Sequence, residues 1–319
     1  MITTKKEKTV RLGKRHGFIW NLVHYRTLFL FLLPGLVLLI LKNYMPMTGI
    51  IMAFKNMDNS LGMFNSPFCG FKNFEFLLKS EDVWRATKNT LIYNSIFLAL
   101  GVVLKVALAI GITELMNQKF AKIYQTFFCL PHFFSAVMVA CIVNAFLSSS
   151  PDGVVNRILV SMGANSVSWY NTIWIWPFLL TFVHFWQGTG YGAIIYIATI
   201  TGFDQEIFEA AVVDGANRWQ RIRYMTIPML KQTVVVLTIL ALGNLFEGGF
   251  GLFYQVTLDS PTLYPVTDVI DTYIYRSLTT MPDLGMTTAA SFIQSTIGCI
   301  LVVAVNLVVR RWDPNSSLF

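Results

Sequence analysis

The chain has 319 residues, of which 55% are hydrophobic and 13% charged, and it carries a formal net charge of +7. Soluble domains have about 25% charged and roughly 45–50% apolar residues, so this composition excludes a soluble globular protein and indicates several membrane crossings. In such a protein the positive charge is the expected excess of Lys and Arg in cytoplasmic loops and no sign of nucleic-acid binding.

The basic stretch MITTKKEKTVRLGKRHGF at the N-terminus precedes an apolar run, as in a signal peptide. The run is long enough to cross a bilayer, however, and no small-x-small cleavage site follows it, which predicts an uncleaved first span. We expect residues 1–26 to form a cytoplasmic tail. Residues 27–89 are expected to hold the first span and an extracytoplasmic segment.

Apolar segments of about 20 residues, the length that crosses the hydrocarbon core, occur six times. They are residues 27–46, 90–113, 124–147, 173–199, 226–246 and 289–309. The expected fold is an all-α membrane protein with six transmembrane helices, in which residues 90–309 form a five-helix core.

The positive charges between these spans predict the orientation. Lys and Arg are concentrated in the N-terminal tail, in the second and fourth connections and after the last span. The positive-inside rule places these segments in the cytoplasm, so both termini are cytoplasmic and residues 310–319 are a cytoplasmic tail. The segment 47–89 also holds five Lys and Arg residues, but long loops cross a membrane with little regard to their charge.

The sequence shows no pattern of an enzyme or a metal site. The four cysteines lack a C-x-x-C spacing and are expected to be small apolar side chains. No phosphate loop of the form G-x-x-x-x-G-K-[ST] occurs, and scattered carboxylates on opposite membrane sides cannot form a glycosidase pair. We therefore expect no catalysis by this chain alone and no bound cofactor or metal.

Polar residues within the spans are candidates to face a cavity, because an ionisable group at bilayer depth is costly in lipid. The candidates are Lys105 in the second span, His132 in the third, and His184, Trp186, Gln187, Tyr191, Asn244 and Glu247 in or after the fourth and fifth. Structural interpretations compete. Lys105 would snorkel or pair with Glu114, each histidine would join two helices, and Glu247 would pair with a cation.

Between the fourth and fifth spans lies a polar, helix-forming segment, DQEIFEAAVVDGANRWQRIRY at residues 204–224. Asp204 can cap a helix, Gly215 can end it, and a second short helix can run from Asn217 toward Tyr224. Pro228 marks the start of the fifth span. The composition leaves two possibilities open: a helix docked in a groove of another protein, or an amphipathic helix at the lipid headgroups.

Two glycine-rich or charged stretches follow the fifth span. GNLFEGGFG at residues 243–251 is expected to break the helix or pack closely. TDVIDTYIYR supplies Asp268, Asp271 and Arg276, which are expected to form a satisfied network outside the membrane.

The spacing within 209–228 resembles the cytoplasmic signature of ABC importer permeases: E-A-A, three residues, G, nine residues, I-x-L-P. Here Glu209, Ala210 and Ala211 precede Gly215, and Met225-Thr226-Ile227-Pro228 ends the motif with conservative changes at Met225 and Ile227. The resemblance implies a coupling helix that seats in a cleft of an ATPase subunit. The residues it assigns to coupling are Glu209, Ala210, Ala211, Asp214, Gly215 and Pro228.

Stretches over roughly residues 25–319, among them LPHFFSAVMVA and YPVTDVIDTYIYR, resemble a carbohydrate branch of these importers, distantly similar to maltose permeases. Within the branch the chain resembles permeases for alginate and for rhamnogalacturonan fragments. The resemblance implies ATP-driven import of oligo- or polysaccharide, including acidic ones such as alginate, with neutral oligosaccharides as the alternative. Lys105 would then be a cation along the path of an anionic sugar, and the aromatic and hydrogen-bonding side chains of HFWQGTGY would suit a sugar ring.

The same resemblance implies the partners and the location. They are a homologous second permease, two ABC ATPase subunits that bind ATP and Mg²⁺, and an extracytoplasmic solute-binding protein, in the bacterial cytoplasmic (inner) membrane. Two other classes compete with it. An ion-coupled secondary transporter needs central carboxylates, whereas Glu114 and Glu247 lie near span ends. A membrane scaffold or sensor would use the polar segment to dock a signalling partner.

Overall fold

The computed structural model describes residue 20 and residues 24–58, 60–115, 117–149, 153–280 and 283–312. Most of the two predicted tails therefore lies outside the described residues. The chain divides into two compact units, Met1–Ile51 and Met52–Phe319, and each is described by itself.

The first unit contains one long helical stretch. Helix α1, Arg26–Leu39, continues through a π-helical turn, Ile40–Tyr44, into a last α-turn, Met45–Met47. No side chain of this stretch is buried, so the whole circumference of the predicted first span is apolar and exposed. Such a surface suits a helix surrounded by lipid or by another subunit.

The second unit is built from helices, with one isolated bridge between Lys55 and Phe68 in its described part. Its main helices are α2 Lys72–Lys79, α3 Glu81–Thr113, α4 Gln118–Cys129, α5 Ala136–Leu147, α6 Val154–Ser161, α7 Trp176–Thr201, α8 Gln205–Val213, α9 Arg218–Arg221, α10 Ile227–Gly243, α11 Ile270–Thr280 and α12 Leu284–Trp312. The expectation of an all-α membrane protein is confirmed.

Among the described residues, four helical stretches are long and apolar enough to cross a membrane: Arg26–Phe54, Glu81–Thr113, Arg218–Gly243 and Leu284–Arg311. A fifth results if a bent pair, Gln118–Phe133 and Ala136–Leu147, is one broken span. Helix α7 corresponds to the predicted fourth span and has 26 residues, which is long enough to cross, but its histidine, glutamine and glycines make it less apolar.

The third span was predicted wrongly as one continuous helix over 124–147, because the chain bends there by 96°. Pro131 lies in a 3-10 turn, Leu130–Phe133, and lacks the N–H that would continue the α-helical hydrogen bonding. Phe134 and Ser135 then adopt extended backbone. The Ser135 hydroxyl accepts the N–H of Met138 at 3.2 Å and so starts α5 as a new helix.

Helix α7 is the centre of the packing. Trp176, Leu180 and Val183 on its first half are buried with residues of α3 and α5, and Ala193 and Tyr196 on its second half are buried with Ala109 and Leu230 of α3 and α10. At Gly190 a β-carbon would fall on the backbone of Phe128. Glycine therefore allows α4 and α7 to approach closely.

The charged residues after α10 form the satisfied network that was expected. The almost fully buried carboxylate of Asp268 binds Arg276 and lies 3.4 Å from Arg85, and Arg276 also binds Asp259 at 2.8 Å. Burial opposes the charge of Arg276, but Asp268 and Asp259 outweigh it and raise the pKa of its guanidinium. Asp271, which was expected in the same network, instead accepts the N–H of Gly248 at 2.9 Å and the amide of Gln294 at 2.8 Å, and so fixes the glycine-rich turn after α10.

Candidate solute cavity and coupling segment

The segment between α7 and α10 folds from capping residues that the sequence places at each helix end. The Asp204 carboxylate accepts the N–H of Glu206 at 3.0 Å and starts α8. At the other end the N–H of Gly215 bonds to the carbonyl of Val212, and that of Ala216 to Ala211, at 3.0 and 2.9 Å. This pair of bonds is the Schellman motif, which requires a left-handed residue such as Gly215, with φ +84°.

Helix α8 presents its apolar side chains to the outside of the chain. No residue of α8 is buried, and Val213 is 86% exposed. Glu209, Ala210 and Asp214 are also exposed and Ala211 is half-buried. Five of the six predicted coupling residues thus lie on one short helix and its terminal turn, with an uncovered apolar surface beside them.

The sixth predicted coupling residue, Pro228, lies outside this element, in α10. Segment 204–224 folds as the two short helices that its capping residues predict, α8 and α9. Asn217 starts α9 through a reciprocal capping box with Gln220. From Arg218 the helix runs through a π-helical turn, Ile222–Thr226, directly into α10. Pro228 is the second residue of α10, as its predicted place at the entry to the fifth span implies, although the helical stretch itself begins at Arg218. Proline cannot donate to the preceding turn, and the wider π-turn before it keeps the helix continuous.

A polar cavity of about 320 Å³ lies between α3, α7 and α10. Of the predicted path residues it is lined by Lys105, His184 and Asn244. The His184 ring stacks on Phe97 with 3.7 Å between ring centroids and 4° between planes. The volume is at the low end of the roughly 300–1,000 Å³ that is typical of ligand sites. These three residues come from three different spans, so the fold assembles what the sequence scatters.

The other candidates on α7 face away from this cavity, because neighbouring residues of a helix point in different directions. Trp186 lines a second, apolar cavity of about 540 Å³ with Phe128, Phe134 and Phe182. The Gln187 amide donates to the carbonyl of Phe134 at 2.9 Å, at the bend of the third span.

The two remaining ring candidates contact each other. His132 and Tyr191 stack with 4.0 Å between ring centroids. Glu247 is exposed beyond the end of α10, and the amide of Asn94 donates to its backbone carbonyl at 2.7 Å. The structure therefore separates the eight predicted path residues into several environments and brings three of them into one cavity.

Three polar or aromatic residues of the cavity lining were not predicted from the sequence: Asn94, Phe97 and Tyr196. Asn94 and Phe97 precede Lys105 by 11 and 8 residues, the spacing of one helix face. Counting back from the lysine along α3 would have found them. Tyr196 follows His184 on α7 by 12 residues, which places it roughly 120° around the helix at 3.6 residues per turn, so the same rule would not have found it.

The Lys105 side chain occupies space that Gly192 leaves free. A β-carbon at Gly192 of α7 would lie 2.7 Å from its Cε, and one at Gly101 of α3 would lie 3.7 Å from its Nζ. Within the described residues no carboxylate forms an ion pair with Lys105, and Glu114 faces Arg218 at 3.9 Å. Pairing with Glu114, one of the structural interpretations, is therefore not what the structure shows.

Comparison with known proteins reveals similarity over nearly the whole chain. Residues 106–314 match the family described as binding-protein-dependent transport system inner membrane component. The polygalacturonan/rhamnogalacturonan transport system permease protein YteP of Bacillus subtilis (strain 168) is 32% identical over 97% of this chain and 93% of its own length.

Two solved bacterial structures share the fold. A chain of an ABC transporter involved in the import of the acidic polysaccharide alginate has a TM-score of 0.82 and 34% identity, covering 92% of this chain and 99% of that one. A chain of the alginate transporter in complex with an alginate pentasaccharide-bound periplasmic protein has a TM-score of 0.81 and 33% identity, with 92% and 97% covered.

Proposed function

The chain belongs to the family of inner membrane components of binding-protein-dependent transport systems, and on that basis we propose that it carries oligo- or polysaccharide in an ATP-driven importer. It is a multi-pass permease subunit of the inner membrane and is not catalytic by itself. The observation that carries the proposal is a polar cavity between three spans, in a chain similar along its length to permeases named for polygalacturonan and alginate.

The features of the cavity are suited to a sugar. Aromatic rings such as Phe97 can contact the apolar face of a pyranose, and Asn244, Tyr196 and His184 offer hydrogen-bonding groups for its hydroxyls. Neutral oligosaccharides are the alternative cargo. An ion-coupled transporter is disfavoured because the described cavity lining contains no carboxylate.

The proposed topology has six spans with both termini in the cytoplasm. Helix α7 is the sixth span beside the four or five that are apolar enough on their own. Residues 1–26 and 310–319 are cytoplasmic tails, residues 27–89 hold the first span and an outer segment, and residues 90–309 are the transport core. The support is the charge distribution: the connections around Lys119 and Arg218 are basic, as cytoplasmic loops are.

Helix α8 is the proposed coupling helix for an ATPase subunit. Its uncovered apolar surface fits a groove in a partner better than water, and three arginines follow it in the same connection. The ATP and Mg²⁺ would be bound by two such ATPase subunits, while a homologous second permease and an outer solute-binding protein complete the assembly. Glu209, Ala210, Ala211, Asp214 and Gly215 transmit the motion.

The path of that motion through the chain follows from helix continuity. From Arg218 to Gly243 the chain is helical for 26 residues, a rod of roughly 39 Å at about 1.5 Å per residue. Its first turn follows α8 after a short connection, and its last turns line the cavity through Leu237 and Ala241. When ATPase closure displaces α8, the rod shifts one wall of the cavity, which is a two-state change of the kind importers need.

Gentle purification of this chain from its native membrane tests the proposal. We expect a phosphate-loop ATPase and a second six-span chain to copurify, and ATP hydrolysis by the complex to rise with its sugar-loaded binding protein. Uptake that follows a proton or sodium gradient in the absence of ATP, with no ATPase recovered even by cross-linking, would contradict it.

A further inference from the structure

Resting on the proposed function, we propose that Lys105 is a specificity-determining residue, whose ammonium binds the carboxylate of an acidic, uronate-containing sugar in the cavity between α3, α7 and α10. The position of the ammonium, the residues around it and the space that the fold leaves for it support this role.

The cavity contains a positive charge and no negative charge to balance it. Its described lining includes one lysine, one histidine, two asparagines and a tyrosine, and no aspartate or glutamate. A charge removed from water is costly unless an opposite charge compensates it. A neutral sugar needs no such charge, since hydroxyls are recognised by neutral hydrogen-bonding groups. A carboxylate passing through the cavity would supply the missing partner.

The side chain does not behave as a snorkelling lysine. Lys105 is nearer to the end of α3 at Thr113 than to its beginning, so the nearer interface lies in that direction. Its ammonium instead lies beside Gly101, one turn toward the N-terminus of α3. The charge is thus directed away from the nearer helix end and toward the cavity between α3, α7 and α10.

The fold is adapted to hold this particular side chain. Gly192 lies where any larger residue of α7 would collide with the Lys105 stem, since a β-carbon there would come within 2.7 Å of Cε and 2.9 Å of Cδ. At Gly101, one turn earlier on α3 itself, a β-carbon would make only an ordinary contact of 3.7 Å with the ammonium. The glycine on the neighbouring helix α7 therefore lets the lysine stem extend along the wall of the cavity.

The test uses the intact complex with its binding protein in proteoliposomes and compares two sugars. One is a uronate pentasaccharide, alginate or galacturonate, and the other is the same sugar with its carboxylates reduced to alcohols. Lys105→Gln and Lys105→Met should lower uptake of the uronate roughly tenfold, the effect expected for loss of a charged hydrogen bond. They should leave uptake of the reduced sugar near the wild-type rate, and Lys105→Arg should retain uronate uptake.

Charge rescue separates binding from folding. In Lys105→Cys, aminoethyl methanethiosulfonate restores a cation and methyl methanethiosulfonate does not, so the first reagent alone should restore uronate uptake. Two controls receive the same reagents. The wild-type chain reports modification of its own four cysteines, and Val102→Cys reports the effect of a modified cysteine elsewhere on the same cavity wall.

The outcomes separate the two proposals. Equal loss for both sugars, or rescue by both reagents, would show a structural lysine or one paired with a carboxylate of the second permease, and would overturn the inference. If the wild-type complex took up the reduced sugar and not the uronate, the inference would also be overturned, but carbohydrate import would still hold. Wild-type uptake of neither sugar would overturn the inference, and carbohydrate import itself would be refuted if the complex took up no neutral oligosaccharide either.

Discussion

At the scale of single residues, two glycines make the same turn in different places. Gly215 after α8 and Gly163 after α6 both have positive φ, +84° and +83°, and both donate to the carbonyl three residues earlier in a Schellman motif. A β-carbon would meet no atom within 4 Å at either position. Replacement by alanine therefore adds backbone strain and no collision at either glycine. The two substitutions differ only in where in the protein the strained turn lies.

We expect Gly215→Ala to lower ATP-driven uptake severalfold and Gly163→Ala to leave it near the wild-type rate. Each substitution costs roughly 1–2 kcal/mol, because alanine disfavours the left-handed conformation. At Gly215 the strain changes the end of the helix that is proposed to contact the ATPase. Uptake by the assembled complex and thermal unfolding in detergent are the measurements. Equal transport defects in the two variants would argue against a special role of Gly215.

At the scale of helices, the sequence predicted the features that composition and capping residues determine. It did not predict the features that depend on contacts with neighbouring helices. The breaks at Gly215 and after Gly243 were predictable because glycine has a distinct backbone preference. The bend at Phe134 was missed, since a count of apolar residues over 124–147 does not register direction, although Pro131 and Ser135 were both visible signals.

The candidate cavity was predictable by residue type and not by location. Lys105 and His184 stood out as polar residues in apolar runs, but which face of α7 meets α3 depends on close contacts such as Gly190 against Phe128. An almost uniformly apolar helix carries little periodic signal. Trp186 and Gln187 were therefore grouped with His184 even though they face other neighbours.

The cap of α5 is a testable part of the broken span. The Ser135 hydroxyl accepts the Met138 N–H at the bend, and a bare N–H within a bilayer finds no water to replace it. Ser135→Ala should destabilise the chain by about 1 kcal/mol, the usual loss for a helix cap, whereas Ser135→Thr should be close to neutral. Thermal unfolding of the purified chain measures both, and equal unfolding temperatures for the alanine variant and the wild type would contradict the capping role.

At the scale of the whole molecule, helix α7 decides the topology. It has 26 residues and is the most central helix of the core, yet its polar face makes it less apolar than the other spans. If α7 crosses the membrane, the residues before and after it lie on opposite sides, and the number of membrane spans becomes six. If it does not, α8 and the turn after α6 share a side, and the coupling proposal loses its geometry.

Cysteine labelling across α7 distinguishes these arrangements. Met162, before α7, is 77% exposed, and Thr201, the last residue of α7, is exposed as well. A membrane-impermeant maleimide should label Met162→Cys in right-side-out vesicles and Thr201→Cys in inside-out vesicles, because the connection after α7 carries three arginines and arginine-bearing loops belong in the cytoplasm. A parent chain with its own four cysteines replaced by serine gives the background. Labelling of both positions from one side would mean that α7 does not cross, while the reverse pattern would keep the crossing and invert the protein, placing α8 out of reach of any cytoplasmic ATPase.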